Sequence, residues 1–98
     1  MTASLRSEVT TLLDSLGVSA DFYSGGTLAV TSPLTGERIA EVAEISADEA
    51  QATIGCAVEA FEVWRRVPAP RRGELVRLLG EELRANKDAL GRLVTLEV

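Results

Sequence analysis

Residues 27–42 have the sequence TLAVTSPLTGERIAEV, in which two short, largely apolar stretches flank a turn. The first stretch is rich in β-branched residues and ends at Pro33, which cannot donate to a strand ladder. Pro33 fixes its own φ and Gly36 can adopt a positive φ, so the segment between them has the chemistry of a turn. The pattern predicts a β-hairpin over 27–42. Because an isolated hairpin is marginal in water, we expect this one to pack on another element.

A helix over 5–16 is predicted before the hairpin. Apolar residues recur there at spacings of three and four, which is typical of an amphipathic helix. Ser4 can cap its N-terminus, and Gly17 follows as a residue that readily takes the left-handed conformation after a helix. We expect Phe22 and Tyr23 to anchor the loop that connects this helix to the hairpin.

Three further helices are predicted after the hairpin, over 47–66, 70–85 and 87–98. The clearest start is at Ser46, which can accept a hydrogen bond from the amide of Glu49 while Glu49 reaches back, as in a capping box. Pro70 suits the first turn of the next helix, and Asn86 suits the N-cap of the last. The fold class is therefore an α+β fragment, mostly helical, with four helices and one β-hairpin.

The helix predicted over 47–66 carries an apolar stripe with small residues beside it. The stripe consists of Ala50, Ile54, Ala57, Phe61 and Trp64, and the small residues are Ala52, Gly55, Cys56 and Ala60. Small side chains let a helix approach its neighbour closely. Cys56 is interpreted as a small buried hydrophobe rather than a nucleophile, because no histidine or lysine lies nearby to favour a thiolate.

Charge and composition exclude several classes of protein. Ten basic and fifteen acidic residues give a net charge of −5, which argues against binding to nucleic acid or to an anionic membrane. The chain has no histidine and one cysteine, which excludes Ser-His-Asp and Cys-His catalysis, the usual zinc sites and an internal disulfide. The single thiol favours a cytoplasmic location, and no apolar run approaches the ~20 residues of a membrane span.

No residue of the chain is predicted to be catalytic, cofactor-binding or metal-binding. The carboxylate pairs Asp48-Glu49 and Glu81-Glu82 lie on predicted helices, where neighbouring side chains point about 100° apart and do not converge. The pair Gly25-Gly26 is not followed by the spacing of a phosphate-binding loop.

Two arginines occupy an unusual position in the helix predicted over 70–85. Arg71 and Arg72 lie in its first turn, where the helix dipole disfavours cations. We therefore expect them to have partners, either among Glu74, Glu81 and Glu82 or in another part of a larger protein.

One short motif suggests a different class of function. Asp14-Ser15-Leu16, in a small acidic helical chain, resembles the acyl-carrier-protein signature, whose serine takes a phosphopantetheine arm. The alternative hypothesis is therefore a small acidic helical interaction module, or an acyl-carrier-like protein modified at Ser15. In carrier proteins the motif opens a helix, whereas here it closes the first predicted one.

Four segments, in order, resemble the N-terminal part of an aldehyde dehydrogenase. They are Ser32-Pro33-Leu34-Thr35-Gly36-Glu37, Ala60-Phe61 with Trp64-Arg65, Pro68-Ala69-Pro70-Arg71-Arg72-Gly73-Glu74, and Leu93-Val94 with Leu96-Glu97. Ser32 stands where the family usually has asparagine. The later runs are most similar to the α-aminoadipic semialdehyde (piperideine-6-carboxylate) dehydrogenase branch, also called antiquitins.

The resemblance implies a parent enzyme with an α/β Rossmann-like fold that uses NAD or NADP to oxidise a semialdehyde, such as α-aminoadipic semialdehyde, to the acid. Its nucleophilic cysteine, its cofactor-contacting residues and its oligomerisation strands would lie beyond Val98, and Cys56 does not match the nucleophile. This chain would then be an inactive scaffold that binds no cofactor. Its implied partners are the remainder of its own polypeptide and, in the parent, further copies in a homo-oligomer.

Overall fold

A computed structural model describes residues 4–98 of the chain. The elements are α1 (Leu5–Ser15), a short 3-10 helix (Ala20–Phe22), β1 (Leu28–Thr31), β2 (Arg38–Val42), α2 (Ala47–Trp64), α3 (Ala69–Ala85) and α4 (Lys87–Glu97). The prediction of four helices and one β-hairpin is confirmed. The chain divides into a hairpin unit, Met1–Glu44 with Asn86–Val98, and a helical unit, Ile45–Ala85.

The end of α2 at Trp64 falls short of the predicted 66 for a local reason. The amide of Val67 donates to the carbonyl of Trp64 at 3.0 Å, three residues back rather than four. Pro68 follows directly, and a residue before proline is disfavoured in the α conformation. The helix therefore tightens and stops as the chain approaches Pro68.

The two strands of the hairpin pair antiparallel with one irregularity. Val30 faces Ala40 and Thr31 faces Arg38, so Ile39 is the extra residue of a β-bulge. Ile39 is 4% exposed and Ala40 7%, so two successive side chains of one strand are buried. The bulge is thus the physical reason why buried and exposed side chains do not alternate along this strand.

The turn between the strands is closed by hydrogen bonds of Ser32. Its amide donates to the carbonyl of Glu37 at 2.9 Å, and its carbonyl accepts from the amide of Gly36 at 2.7 Å. Its hydroxyl, in a side chain that is 1% exposed, accepts from the amide of Leu34 at 3.3 Å. Serine therefore makes a local side-chain bond within the turn.

The core of the hairpin unit lies where α1, the hairpin and α4 meet. Its buried members are Val9, Ile39 and Leu96, one from each of these elements. Partly buried side chains surround them: Leu5, Leu12, Leu13, Val30 and Leu93. The expectation that the hairpin packs on another element is confirmed.

Gly17 ends α1 as the sequence predicted. Its φ is +80°, its amide donates to the carbonyl of Asp14, and the amide of Val18 donates to the carbonyl of Leu13, each at 3.0 Å. This pair of bonds is a Schellman motif, which satisfies carbonyls that the helix would otherwise leave open.

The loop after α1 is anchored differently from the prediction. Phe22 is 71% exposed, so its predicted role as an anchor is wrong. The attachment is made by the backbone: the carbonyl of Tyr23 accepts a hydrogen bond from the amide of Glu41 at 3.1 Å. Three residues later the backbone of Gly26 lies close to the end of β2, where a Cβ on residue 26 would overlap the backbone of Val42 and Ala43.

The helical unit has no buried core of its own. No residue of α2 or α3 is buried, and Ile54 and Phe61 of the predicted apolar stripe are 64% and 55% exposed. Cys56 is exposed as well, so the prediction that it is buried is wrong for this chain. The reason is that α2 and α3 do not pack closely on each other.

Of the three predicted polar caps, those of α2 and α4 have different outcomes. The Ser46 hydroxyl accepts a hydrogen bond from the amide of Glu49 at 3.1 Å, which confirms this residue as the N-cap of α2. Asn86 does precede α4, but its side chain makes no capping bond to the helix. Its φ of −110° and ψ of 17° differ from the extended geometry that a capping side chain needs.

Candidate functional site

The described residues bring no catalytic constellation together. Within residues 4–98, no three histidine, cysteine, aspartate or glutamate side chains are grouped so that they could hold a metal ion. Asp48 and Glu49 lie exposed in the first turn of α2, and Glu81 and Glu82 lie exposed near the C-terminal end of α3.

Ser15 lies at the end of a helix rather than at the start of one. It is the last residue of α1, and its hydroxyl donates to the carbonyl of Leu12 at 2.7 Å. This position is the opposite of the one that the modified serine of a carrier protein takes. No other observation favours modification at Ser15.

Two of the three carboxylates proposed as partners of Arg71 and Arg72 are bound instead by Arg77. Arg77 donates to Glu74 at 2.6 and 2.9 Å and to Glu81 at 2.7 Å. Arg77 lies three residues after Glu74 and four residues before Glu81, so the three side chains share one face of the helix. These hydrogen bonds lower the pKa of Glu74 and raise that of Arg77.

Neither arginine in the first turn of α3 forms an ion pair with Glu74 or Glu81. Arg72 donates from Nε to the carbonyl of Val67 at 3.0 Å, which satisfies a backbone acceptor just after α2. Arg71 makes no ion pair within residues 4–98. A partner for Arg71 elsewhere in a larger protein stays a prediction.

Glu37 and Glu41 fasten α1 to the hairpin. The carboxylate of Glu37 accepts from the amides of Leu5 and Arg6 at 3.3 and 3.0 Å, at the positive end of the α1 dipole. Glu41 binds the Arg6 guanidinium through two hydrogen bonds of 2.9 and 2.8 Å. These bonds hold the pKa of Glu41 below its ordinary value and raise that of Arg6.

A second ion pair joins α1 to α4. Arg92 donates from Nε and Nη2 to the two carboxylate oxygens of Glu8 at 2.6 and 3.2 Å. Its hydrogen bonds lower the pKa of Glu8, and the pKa of Arg92 rises in return. The residues lie far apart in sequence, and the charge pattern alone gave no signal that they would meet.

An apolar cleft of about 260 Å³ opens in the hairpin unit. Its lining residues are Val9, Leu13, Val18, Phe22, Tyr23, Val30, Ile39, Ala40, Val42, Leu93 and Glu97. Glu97 is the single charged group among them. Ligand sites are mostly larger and combine apolar walls with several convergent polar groups, which this cleft lacks.

The described residues contain no glycine-rich turn of the kind that binds a dinucleotide in Rossmann folds. Such a cofactor binds where a glycine-rich turn leads from a strand into a helix. Here Gly25 and Gly26 lead into β1, and the two strands are antiparallel partners of one hairpin.

No described helix is long and apolar enough to cross a membrane.

Comparisons with known proteins give a consistent result. The sequence model of the Aldehyde dehydrogenase family matches residues 22–98. The chain is 45% identical over 75 residues to Aldehyde dehydrogenase family 7 member A1 of Pisum sativum, a match that covers 76% of the chain and 15% of that protein. It is 40% identical over 87 residues to Alpha-aminoadipic semialdehyde dehydrogenase of Rattus norvegicus, covering 87% of the chain and 16% of that protein.

A bacterial relative carries a different substrate in its name. The chain is 40% identical over 85 residues to 3-sulfolactaldehyde dehydrogenase of Pseudomonas putida, which covers 87% of the chain and 17% of that protein. The chain thus spans about one sixth of the length of these curated relatives.

Proposed function

Because this chain belongs to the aldehyde dehydrogenase family, we propose that it is the N-terminal scaffold part of an NAD(P)-dependent enzyme that oxidises a semialdehyde to the acid. The substrate that we propose is α-aminoadipic semialdehyde, in equilibrium with piperideine-6-carboxylate. The observation that carries the proposal is the family match over residues 22–98, together with the names of the plant and mammalian relatives.

The scaffold role is supported by what the described residues lack and by what they expose. Within residues 4–98 there is neither a metal-binding group of side chains nor a glycine-rich strand-to-helix turn for a dinucleotide. The helical unit meanwhile exposes large apolar side chains on both of its helices. We propose that the catalytic cysteine and the cofactor site belong to the rest of the polypeptide, and that this segment alone is inactive.

The environment of the whole enzyme is part of the same proposal. Aldehyde dehydrogenases generally use NAD or NADP, and we propose a cytoplasmic homo-oligomer in which this segment contributes to subunit contacts. The net charge of −5 supports partners other than nucleic acid or anionic membrane.

The substrate is tested on the complete polypeptide that contains this segment. Purified enzyme is supplied with α-aminoadipic semialdehyde or 3-sulfolactaldehyde, each with NAD⁺ and with NADP⁺, and formation of the reduced cofactor is followed by absorbance. We expect kcat/KM for α-aminoadipic semialdehyde to be higher by at least about tenfold, which corresponds to about 1.4 kcal/mol in transition-state binding. A preference for the sulfonated aldehyde would reassign the substrate, and oxidation of neither would overturn the proposed function.

The location of the cofactor site is tested separately by calorimetry. Titration of the 98-residue chain with NAD⁺ should give no saturable heat, whereas the complete polypeptide should bind. Saturable binding by the short chain would contradict the scaffold role.

A further inference from the structure

The surface of α2 is apolar around most of its circumference. At 100° per residue, Asp48, Glu59 and Glu62 fall with Gln51 and Gly55 in one arc of about 80°, here called the acidic stripe. Glu49 is the one acid of this helix outside the arc, and it lies in the first turn, where the helix dipole favours it. A helix that is apolar nearly all round is typical of the interior of a larger protein.

The apolar surface of α2 consists of two faces with different side-chain sizes. The bulky face carries Ile54, Ala57, Phe61 and Trp64. The small face carries Ala52, Cys56 and Ala60, spaced four residues apart and therefore aligned along the helix; Glu49 at its N-terminal end and Val63 at its C-terminal end fall in the same arc. One packed neighbour covers a stripe about 100° wide, so two such faces require two neighbours.

The structure supplies neither neighbour within the helical unit. Every residue of α2 except Ala50 is exposed, and Trp64, at 40%, is the least exposed of its large apolar side chains. Helices in proteins gain most of their stability from tertiary packing of an apolar face. In this arrangement α2 therefore lacks the contacts that would hold it.

We infer that α2 is an internal helix of the complete enzyme, covered on both its bulky face and its small face by the remainder of the same polypeptide. This inference rests on the proposed function. The chain spans 15–17% of the length of its relatives, so most of the polypeptide is available to cover the helix. A covalently linked cover also acts at a high effective concentration, which a second copy does not. The acidic stripe stays in water.

Cys56 provides a reporter on the small face that needs no substitution. The complete, native polypeptide is treated with a small maleimide, and modification of the peptide that contains Cys56 is followed by mass spectrometry. The matched control is Glu59→Cys on the acidic stripe, made in a Cys56→Ala background so that each peptide holds one thiol. We expect the thiol at position 59 to react as fast in the native protein as in the urea-unfolded protein. Cys56 should react at least about 100-fold more slowly in the native protein, because a buried thiol is modified only when the structure opens.

The bulky face is probed by Ala57→Cys in the same background. The substitution is small and lies between Phe61 and Trp64 around the helix. Protection at both 56 and 57 supports the two-sided cover. Rapid modification at either position overturns it. Protection that is lost on dilution overturns the choice of occupant, since a second copy would then be the cover.

Activity of the same preparations separates this inference from the proposed function. An enzyme that oxidises aldehydes while Cys56 reacts freely overturns the inference and leaves the function standing. An enzyme with protected thiols and no aldehyde oxidation overturns the function, and the buried position of α2 still holds.

Discussion

The carboxylate of Glu37 accepts a hydrogen bond from the backbone amide of Arg6 at 3.0 Å, across 31 residues of sequence. Glu37 belongs to the turn of the hairpin, and Arg6 lies in the first turn of α1. The last residue of the Ser32–Glu37 segment therefore caps a helix that precedes it, alongside the local cap from Ser4, whose hydroxyl accepts from the amide of Ser7. An N-terminal amide of α1 thus depends on the hairpin for its partner.

Replacing Glu37 should loosen α1. Glu37→Leu removes both acceptors, and loss of a helix cap costs about 0.5–2 kcal/mol. In the complete polypeptide we expect faster hydrogen exchange at the amides of α1, measured by mass spectrometry. Glu37→Gln is the conservative control, because one amide oxygen can still accept from Arg6. Equal exchange in the wild type and in Glu37→Leu would show that the cap has no energetic role.

Lowering the pH should weaken the ion pairs of Glu41 and Glu8, which attach α1 to the hairpin and to α4. Hydrogen bonds from Arg6 and Arg92 hold the pKa values of Glu41 and Glu8 below their ordinary 4.5. Because the pKa of each carboxylate is lower in the folded than in the unfolded state, each ion pair contributes its full stability at pH values above the unfolded-state pKa. This contribution is lost as the pH falls through the lower, folded-state pKa. Protection of α1 against exchange, corrected for intrinsic rates, should therefore fall below about pH 4.5.

The control for this pH dependence is the double variant Glu8→Gln/Glu41→Gln. Its α1 should exchange faster at neutral pH and should lose most of the additional weakening in acid. The same decrease in protection in the variant and the wild type would assign the acid sensitivity to other groups.

Gly26→Ala should destabilise the hairpin unit. The added Cβ would overlap the backbone of Val42 and Ala43, which cannot move away as a flexible side chain could. Overpacking of this kind costs about 1–3 kcal/mol, measurable by urea unfolding of the complete polypeptide. Gly91→Ala is the matched control, since a Cβ there meets no atom of the described chain within 4 Å. An unchanged midpoint for Gly26→Ala would mean that the loop and strand lie farther apart.

The 98-residue chain by itself should associate. Phe61, Val63 and Val76 are 55%, 70% and 66% exposed, and contiguous apolar surface of this kind drives self-association. Light scattering should show an apparent mass above that of a 10.4 kDa monomer, increasing with concentration. A monodisperse monomer over the same range would contradict the exposed surfaces.

Local signals were sufficient to predict the helices, the hairpin and most of their ends. The Ser46 cap and the left-handed Gly17 depend on hydrogen bonds within a few residues, so the sequence contains the whole cause. The burial of Cys56 and the anchoring by Phe22 were predicted wrongly, because burial depends on which elements pack together. Periodicity shows that a face is apolar, but it does not show whether that face is covered.

The long-range ion pairs were missed for a different reason. Arg6 has several carboxylates within reach in principle, and only the antiparallel register of the hairpin brings Glu37 and Glu41 beside α1. The bulge at Ile39 contributes to that register, and no turn residue or glycine in the sequence indicated the bulge. The residues that fasten α1 were therefore visible in the sequence as charges, but their pairing was not.

The contact between Glu8 and Arg92 joins residues 84 positions apart, and the core of the hairpin unit likewise needs Leu96 from α4. Closing so long a loop is entropically costly and makes folding slow. At ordinary rates of translation, the ribosome needs roughly 3 to 10 s to add residues 45–98 after the hairpin has been made. During that interval Val9 and Ile39 have no Leu96 to pack on. The nascent hairpin and α1 therefore expose an incomplete core, and the hairpin unit completes its packing only after α4 has been synthesised.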